Sequence, residues 1–212
     1  DAMLNRVEND MTSKQSKKTL LSALLLVTGD ESYRAPMLSL LQETNREYRL
    51  QKKNPRRIDS YISFDQVKER LALAERTLKA SPSEEHYVDY LVLALMSGAT
   101  EGVVPRRLEW ASVKWRGEID RETDNWIDTK RAVVHFLSYK TARSHGAQEV
   151  ALPKHVMQVI RRWLKINKTD FLLVTKRGTK GMSGSQLSTR ISEIFADRRI
   201  GVDMLRSIYL TE

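Results

Sequence analysis

The chain has 212 residues, 41% of them hydrophobic, enough for one sizeable domain or two small ones with packed cores. It carries 36 Lys and Arg against 27 Asp and Glu, a formal charge of +9, which is the electrostatic footprint expected of a nucleic-acid partner, although a solvated basic surface has the same composition. The absence of cysteine excludes disulfides, thiolate catalysis and cysteine-held metals and fits an intracellular, reducing compartment, and the longest apolar run, residues 20–27, is too short to cross a bilayer.

Residues 13–50 predict two helices. Leu20, Leu21, Leu24, Leu25 and Val27 recur at helical spacing, Thr28-Gly29-Asp30 breaks the pattern, and Met37, Leu38, Leu41 and Tyr48 resume it. Two such helices cannot close a core alone. The stretch 51–57 is polar and basic, and Pro55 forbids a continuous helix, so a domain boundary is expected near residue 58.

A capping box, Ser63 with Gln66, opens a helix that ends near Ala80. Ser83, with Glu84 and Glu85 in the first turn, caps another whose residues from Tyr90 to Met96 are apolar almost all round, which predicts a central, buried helix. A turn at Gly98 follows, then a short helix started by Pro105 and carrying Arg106, Arg107, Leu108 and Glu109. Between about 113 and 152 the period becomes strand-like. Trp126-Ile127, the run 133–137 and the run 149–152 predict a small antiparallel three-stranded sheet. Helices return over 154–166, over 185–196 and from Val202, so the expected class is mainly α with a small antiparallel sheet. Trp110, Trp115, Trp126 and Trp163 are expected in the core or on a sheet face. His86, His135, His145 and His155 are scattered without paired spacing, and no metal site is expected.

Three stretches carry candidate chemistry: Pro105-Arg106-Arg107-Leu108-Glu109-Trp110 after the buried helix, Ser138-Tyr139-Lys140-Thr141-Ala142-Arg143 between two strands, and Val202-Asp203-Met204-Leu205-Arg206-Ser207-Ile208-Tyr209 in the last helix. Each alone is compatible with ordinary surface residues. In their order and contexts they resemble the first arginine box, the hairpin lysine and the second arginine box of tyrosine recombinases, the phage integrase family, over most of residues 63–212.

The resemblance implies a tyrosine-recombinase-like catalytic domain over 59–212, C-terminally truncated, preceded over 1–58 by part of a helical core-binding domain and a basic linker. It implies that Arg106 and Arg206 bind the non-bridging oxygens of a DNA phosphate, that Glu109 holds the Arg106 guanidinium, and that Lys140 protonates the leaving 5′ oxygen. The attack in that family comes from a tyrosine and gives a 3′-phosphotyrosyl link, with no metal or nucleotide cofactor. Double-stranded DNA is the implied partner, on which a homo-oligomer, a synaptic tetramer, assembles; viral and mobile-element members are the nearest in wording. Lys52, Lys53, Arg56 and Arg57 on the linker, Arg107 and Arg143 beside the boxes, and Lys176, Arg177 and Lys180 in a glycine-containing loop are the expected backbone contacts.

The sequence departs from the pattern in two places. Asp203 stands where the family has a histidine or lysine; it either bonds the arginines, acts as a base or weakens the site. The family's nucleophilic tyrosine lies several turns beyond the second arginine box, whereas the sequence ends six residues after Arg206, and Tyr209 matches the family's core aromatic. As given, the chain is expected to bind DNA without cleaving it. A type IB topoisomerase, which shares the catalytic set, and a DNA-binding pseudo-recombinase are the alternatives.

Overall fold

The computed structural model describes residues 2–11, 13–50, 61–196 and 200–212, with Ala2, Leu4, Glu8, Asp10 and Tyr48 described by their backbone alone, and the chain divides into two compact units, 1–55 and 56–212. The linker cations Lys52, Lys53, Arg56 and Arg57 lie outside the described residues.

The first unit contains α1 (Ala2–Asp10), α2 (Lys14–Thr28), a 3-10 turn at Glu31–Tyr33 and α3 (Arg34–Arg49). Ser13 caps α2 by accepting from the Ser16 amide, and Gly29, at φ 68°, ends it in the left-handed conformation, its amide donating to the Leu25 carbonyl. The predicted break therefore sits at 28–30. Val7, Leu21 and Tyr33 form the buried core, with Leu24, Leu25, Met37 and Leu40 packed around it. Helix α1, which has no clear apolar period, was not anticipated. Three residues expected on the apolar face are exposed instead: Leu20, Leu38 and, at 83%, Val27. The run from 20 to 27 is apolar on more than one face, and Leu20 and Val27, two turns apart, lie on the side away from Leu21.

In the second unit, α4 (Phe64–Ala80) begins with the predicted capping box, in which Ser63 Oγ accepts from the Gln66 amide at 3.2 Å and Gln66 Oε1 accepts from the Ser63 amide at 2.9 Å. Helix α5 (Glu84–Met96) is buried at every position from Tyr90 to Met96. After it come a 3-10 turn (Leu108–Ser112), β1 (Trp126–Asp128), β2 (Val133–Phe136), α6 (Ala142–His145), β3 (Gln148–Ala151), α7 (Lys154–Leu164), α8 (Gly184–Ile194) and α9 (Val202–Thr211). Helices α4, α7, α8 and α9 all contact α5. The fold is mainly helical with one small antiparallel sheet, as the sequence predicts.

The sheet order is β1-β2-β3, both pairs antiparallel. Alternation turns Ile127, Val134 and Phe136 into the core, where Phe136 meets Trp110 edge to face at 5.0 Å. On the other face the register places Trp126, His135 and Glu149 in a row across the strands. The Trp126 and His135 rings stack 4.0 Å apart, and His135 Nδ1 lies 3.1 Å from Glu149 Oε1. Trp110 and Trp163 are fully buried, Trp115 packs against the core and Trp126 lies on the sheet face, as expected.

Two local expectations need correction. The 3-10 turn begins at Leu108, so Arg106 and Arg107 precede it outside any helix and do not share a helical face with Glu109. The polar stretch between β2 and β3 keeps Lys140 in a turn but folds its second half, Ala142–His145, as the one-turn helix α6.

The second unit also holds a buried charge. Arg190 on α8 is 7% exposed, and its guanidinium donates to Asp89 Oδ1 at 2.6 Å, Glu85 Oε1 at 3.0 Å and Glu193 Oε2 at 3.2 Å, tying α8 to α5. Among the described residues no helix is long and apolar enough to span a membrane.

Candidate functional site

Arg106, Lys140 and Arg206 line one open hollow of about 710 Å³, together with Arg107, Tyr139 and Gln148. They arrive from three places: the non-helical segment after Gly102, the connection leaving β2, and the second turn of α9. A second hollow of about 650 Å³ shares Arg107, Glu109 and Lys140 and extends past Asp203 to Ser188 on α8. Lys140 stands on the wall common to both and is exposed.

Arg106 is the most constrained member. Its guanidinium lies 4.2 Å from the Phe136 ring centroid and 5.4 Å from that of Tyr139, and Nη1 donates to Gln148 Oε1 at 2.8 Å. Nε is buried with no partner. The anticipated clamp by Glu109 is absent: the two side chains form no ion pair, and Glu109 Oε2 is itself buried without a hydrogen-bond partner. The cause is the backbone, because a one-turn offset brings side chains together only where both residues are helical. Burial pulls the Arg106 pKa down, with the nearby charge of Glu109 opposing it, and a guanidinium keeps its proton under such a shift.

Arg206 is partly exposed and pairs with Asp203 one turn earlier, Nη1 to Oδ1 at 3.7 Å. Of the three roles open to Asp203, this contact fits the first, pairing with an arginine. The pair is open to water, Asp203 being 80% exposed, so it holds Arg206 only weakly. Tyr139 turns its ring to Arg106 and donates its hydroxyl to the Gly146 carbonyl at 2.6 Å. Tyr209 packs elsewhere, edge to face with Phe64 and against Gly98.

Asn125 fixes how these pieces meet. Fully buried, it donates to Ser112 Oγ and the Ser138 carbonyl and accepts from the Leu137 and Ser138 amides, each at 2.8 Å. One side chain thus joins the end of the arginine segment's 3-10 turn to the chain two residues before Lys140. Asn125→Ala is expected to cost about 2 kcal/mol or more, because it leaves several buried groups unsatisfied; the drop would be read from urea unfolding, and an unchanged midpoint would contradict it.

The remaining predicted cations among the described residues do not line either hollow. Arg143 is exposed on α6. Lys176, Arg177 and Lys180 lie in a loop closed by the amide of Gly178 donating to Thr175 and by the bridge between Val174 and Gly181, and Lys176 Nζ sits 3.6 Å from Glu85. Gln148 and Asn125 were not anticipated. A glutamine in a strand carries no signal of its role, and Asn125 reads as a turn residue. Arg190 did have one: with Leu187, Ile191 and Ile194 it completes the inward face of α8. Among the described residues no three His, Asp or Glu side chains are grouped as metal ligands would be.

No protein-family model and no curated protein sequence matches the chain. Among solved structures, the crystal structure of XerA recombinase is similar, with a TM-score of 0.45 and 13% identity, over 99% of this chain and 71% of that one.

Proposed function

We propose that the unit spanning 56–212 grips the phosphate backbone of double-stranded DNA in the hollow lined by Arg106, Lys140 and Arg206, in the manner of a tyrosine-recombinase catalytic region. The reading rests on one observation, the convergence of these three cations, distant in sequence, on one concave surface. Two guanidiniums offer forked donors to the non-bridging oxygens, whose charge grows in a pentacovalent transition state, and an ammonium on an exposed turn can give its proton to the departing 5′ oxygen as the P–O5′ bond breaks. In the full reaction a tyrosine hydroxyl forms the new bond to phosphorus, and assembly of four copies on paired sites belongs to the same reading.

The tyrosines seen near the hollow favour a second reading, in which it holds DNA without cutting it. The Tyr139 hydroxyl is engaged with Gly146, and the Tyr209 ring is packed against Gly98 and Phe64. Both readings require the arginines to meet phosphate. Titration of a short duplex across a salt series should give steeply salt-dependent binding, and Arg106→Ala or Arg206→Ala should each weaken it by roughly tenfold and lower the log–log salt slope by about one. Wild-type affinity and slope in either variant would overturn the proposal.

A further inference from the structure

Among the described residues of the second unit, Arg190 is buried and Arg106 half-buried, and they are treated in opposite ways. Arg190 is bonded by three carboxylates, as a structural cation is. Arg106 is paired with none among the described residues, and the acceptor it does have is an uncharged amide reached across 42 residues of chain. Two aromatic faces flank the guanidinium, and its Nε has no partner in the protein. Glu109 acts on this half-buried guanidinium only through its charge and not through a hydrogen bond, and a partly desolvated cation without a bonded counter-charge is costly unless an anion completes the site.

We infer that Gln148 is a positioning residue whose neutral acceptor fixes the Arg106 guanidinium while leaving its charge for a phosphate of the DNA backbone. The inference rests on the proposed function above. A glutamate in the same place would orient the guanidinium equally well, but it would occupy the fork as a bidentate partner and cancel its charge. An amide orients without competing. Gln148 opens β3, the strand that closes the connection carrying Lys140, so the same bond also sets Arg106 against the lysine's loop.

Gln148→Glu separates a positioning role from a packing one. The new ion pair should hold or raise the thermal midpoint, while affinity for a short duplex falls roughly tenfold or more and the log–log salt slope drops by about one, matching Arg106→Ala. Ala151→Glu, at another position lining the hollow, controls for added negative charge and should leave more of the affinity and slope intact. If Arg106→Ala itself changes neither affinity nor slope, the DNA-binding reading fails. If Arg106→Ala does change them but Gln148→Glu keeps the wild-type slope, or loses no more than Ala151→Glu, the role of Gln148 fails. Should Gln148→Glu not fold, Gln148→Ala decides: it should lose severalfold in affinity at an unchanged slope, and wild-type affinity would refute the inference.

Discussion

Arg190→Ala is expected to cost about 3–5 kcal/mol of folding stability, read as a fall in the urea or thermal midpoint. The residue is 7% exposed and holds Asp89, Glu85 and Glu193 together; without it, three carboxylates face one another and one of them is substantially buried. The pH dependence carries a sign that tests the cause. In the native protein the hydrogen bond from Arg190 holds the Glu85 pKa below the usual range, so that carboxylate contributes stability above its unfolded pKa and loses it as pH falls through the lower folded value. Burial pushes Asp89 the other way, with Arg190 opposing the rise. In the variant the arginine's opposition is gone and only the weaker effect of His86 still lowers it. The folded-state pKa of Asp89 should climb further, and because the folded protein then binds the proton more tightly, the variant's deficit should shrink as pH falls toward the acid range. A deficit that is constant with pH would point to lost packing and not to stranded charge.

Gly98→Ala is expected to cost about 2–4 kcal/mol, combining a non-glycine residue in left-handed backbone with overpacking. Gly98 has φ 76°, and a Cβ there would overlap the Tyr209 ring, 2.9 Å from its Cγ, and come within 3.0 Å of Pro105 Cγ. Those two neighbours matter because each adjoins a candidate ligand. Tyr209 is one turn beyond Arg206 on α9, and Pro105 directly precedes Arg106. A methyl group at position 98 therefore pushes on both arginine-bearing segments, and DNA affinity should fall along with stability although residue 98 touches no ligand. If the midpoint drops and affinity, measured well below that midpoint, stays at the wild-type value, the arginines are held by other contacts.

Much of the second unit was legible in the sequence because its signals are local. Ser63 with Gln66 and Ser83 with two acids fix helix starts through backbone amides within one turn, and the alternation at 133–136 sets the inward face of β2. What the sequence misjudged depended on partners far along the chain. Arg106 and Arg107 lie outside the 3-10 turn that starts at Leu108, and this cancelled the one-turn offset that made Glu109 the natural clamp. Gln148 took that place, with nothing in its neighbours to announce it. The convergence of Arg106, Lys140 and Arg206 could be anticipated only through the resemblance, since no spacing rule links segments so far apart. In the first unit, the run of leucines in α2 overstated its buried face, because a sequence apolar on several sides does not say which side meets a neighbour.

The sheet joins only strands consecutive in the chain, β1 to β2 and β2 to β3, so it is cheap in loop-closure entropy and can form early. The arginine hollow is the reverse. It exists only once α9 has docked beneath Gly98, a contact between distant parts of the chain. An anion that settles there would bind the native state and not its partly folded precursors, so by thermodynamic linkage it would resist unfolding of the entire unit by an amount that grows with the logarithm of its concentration over Kd.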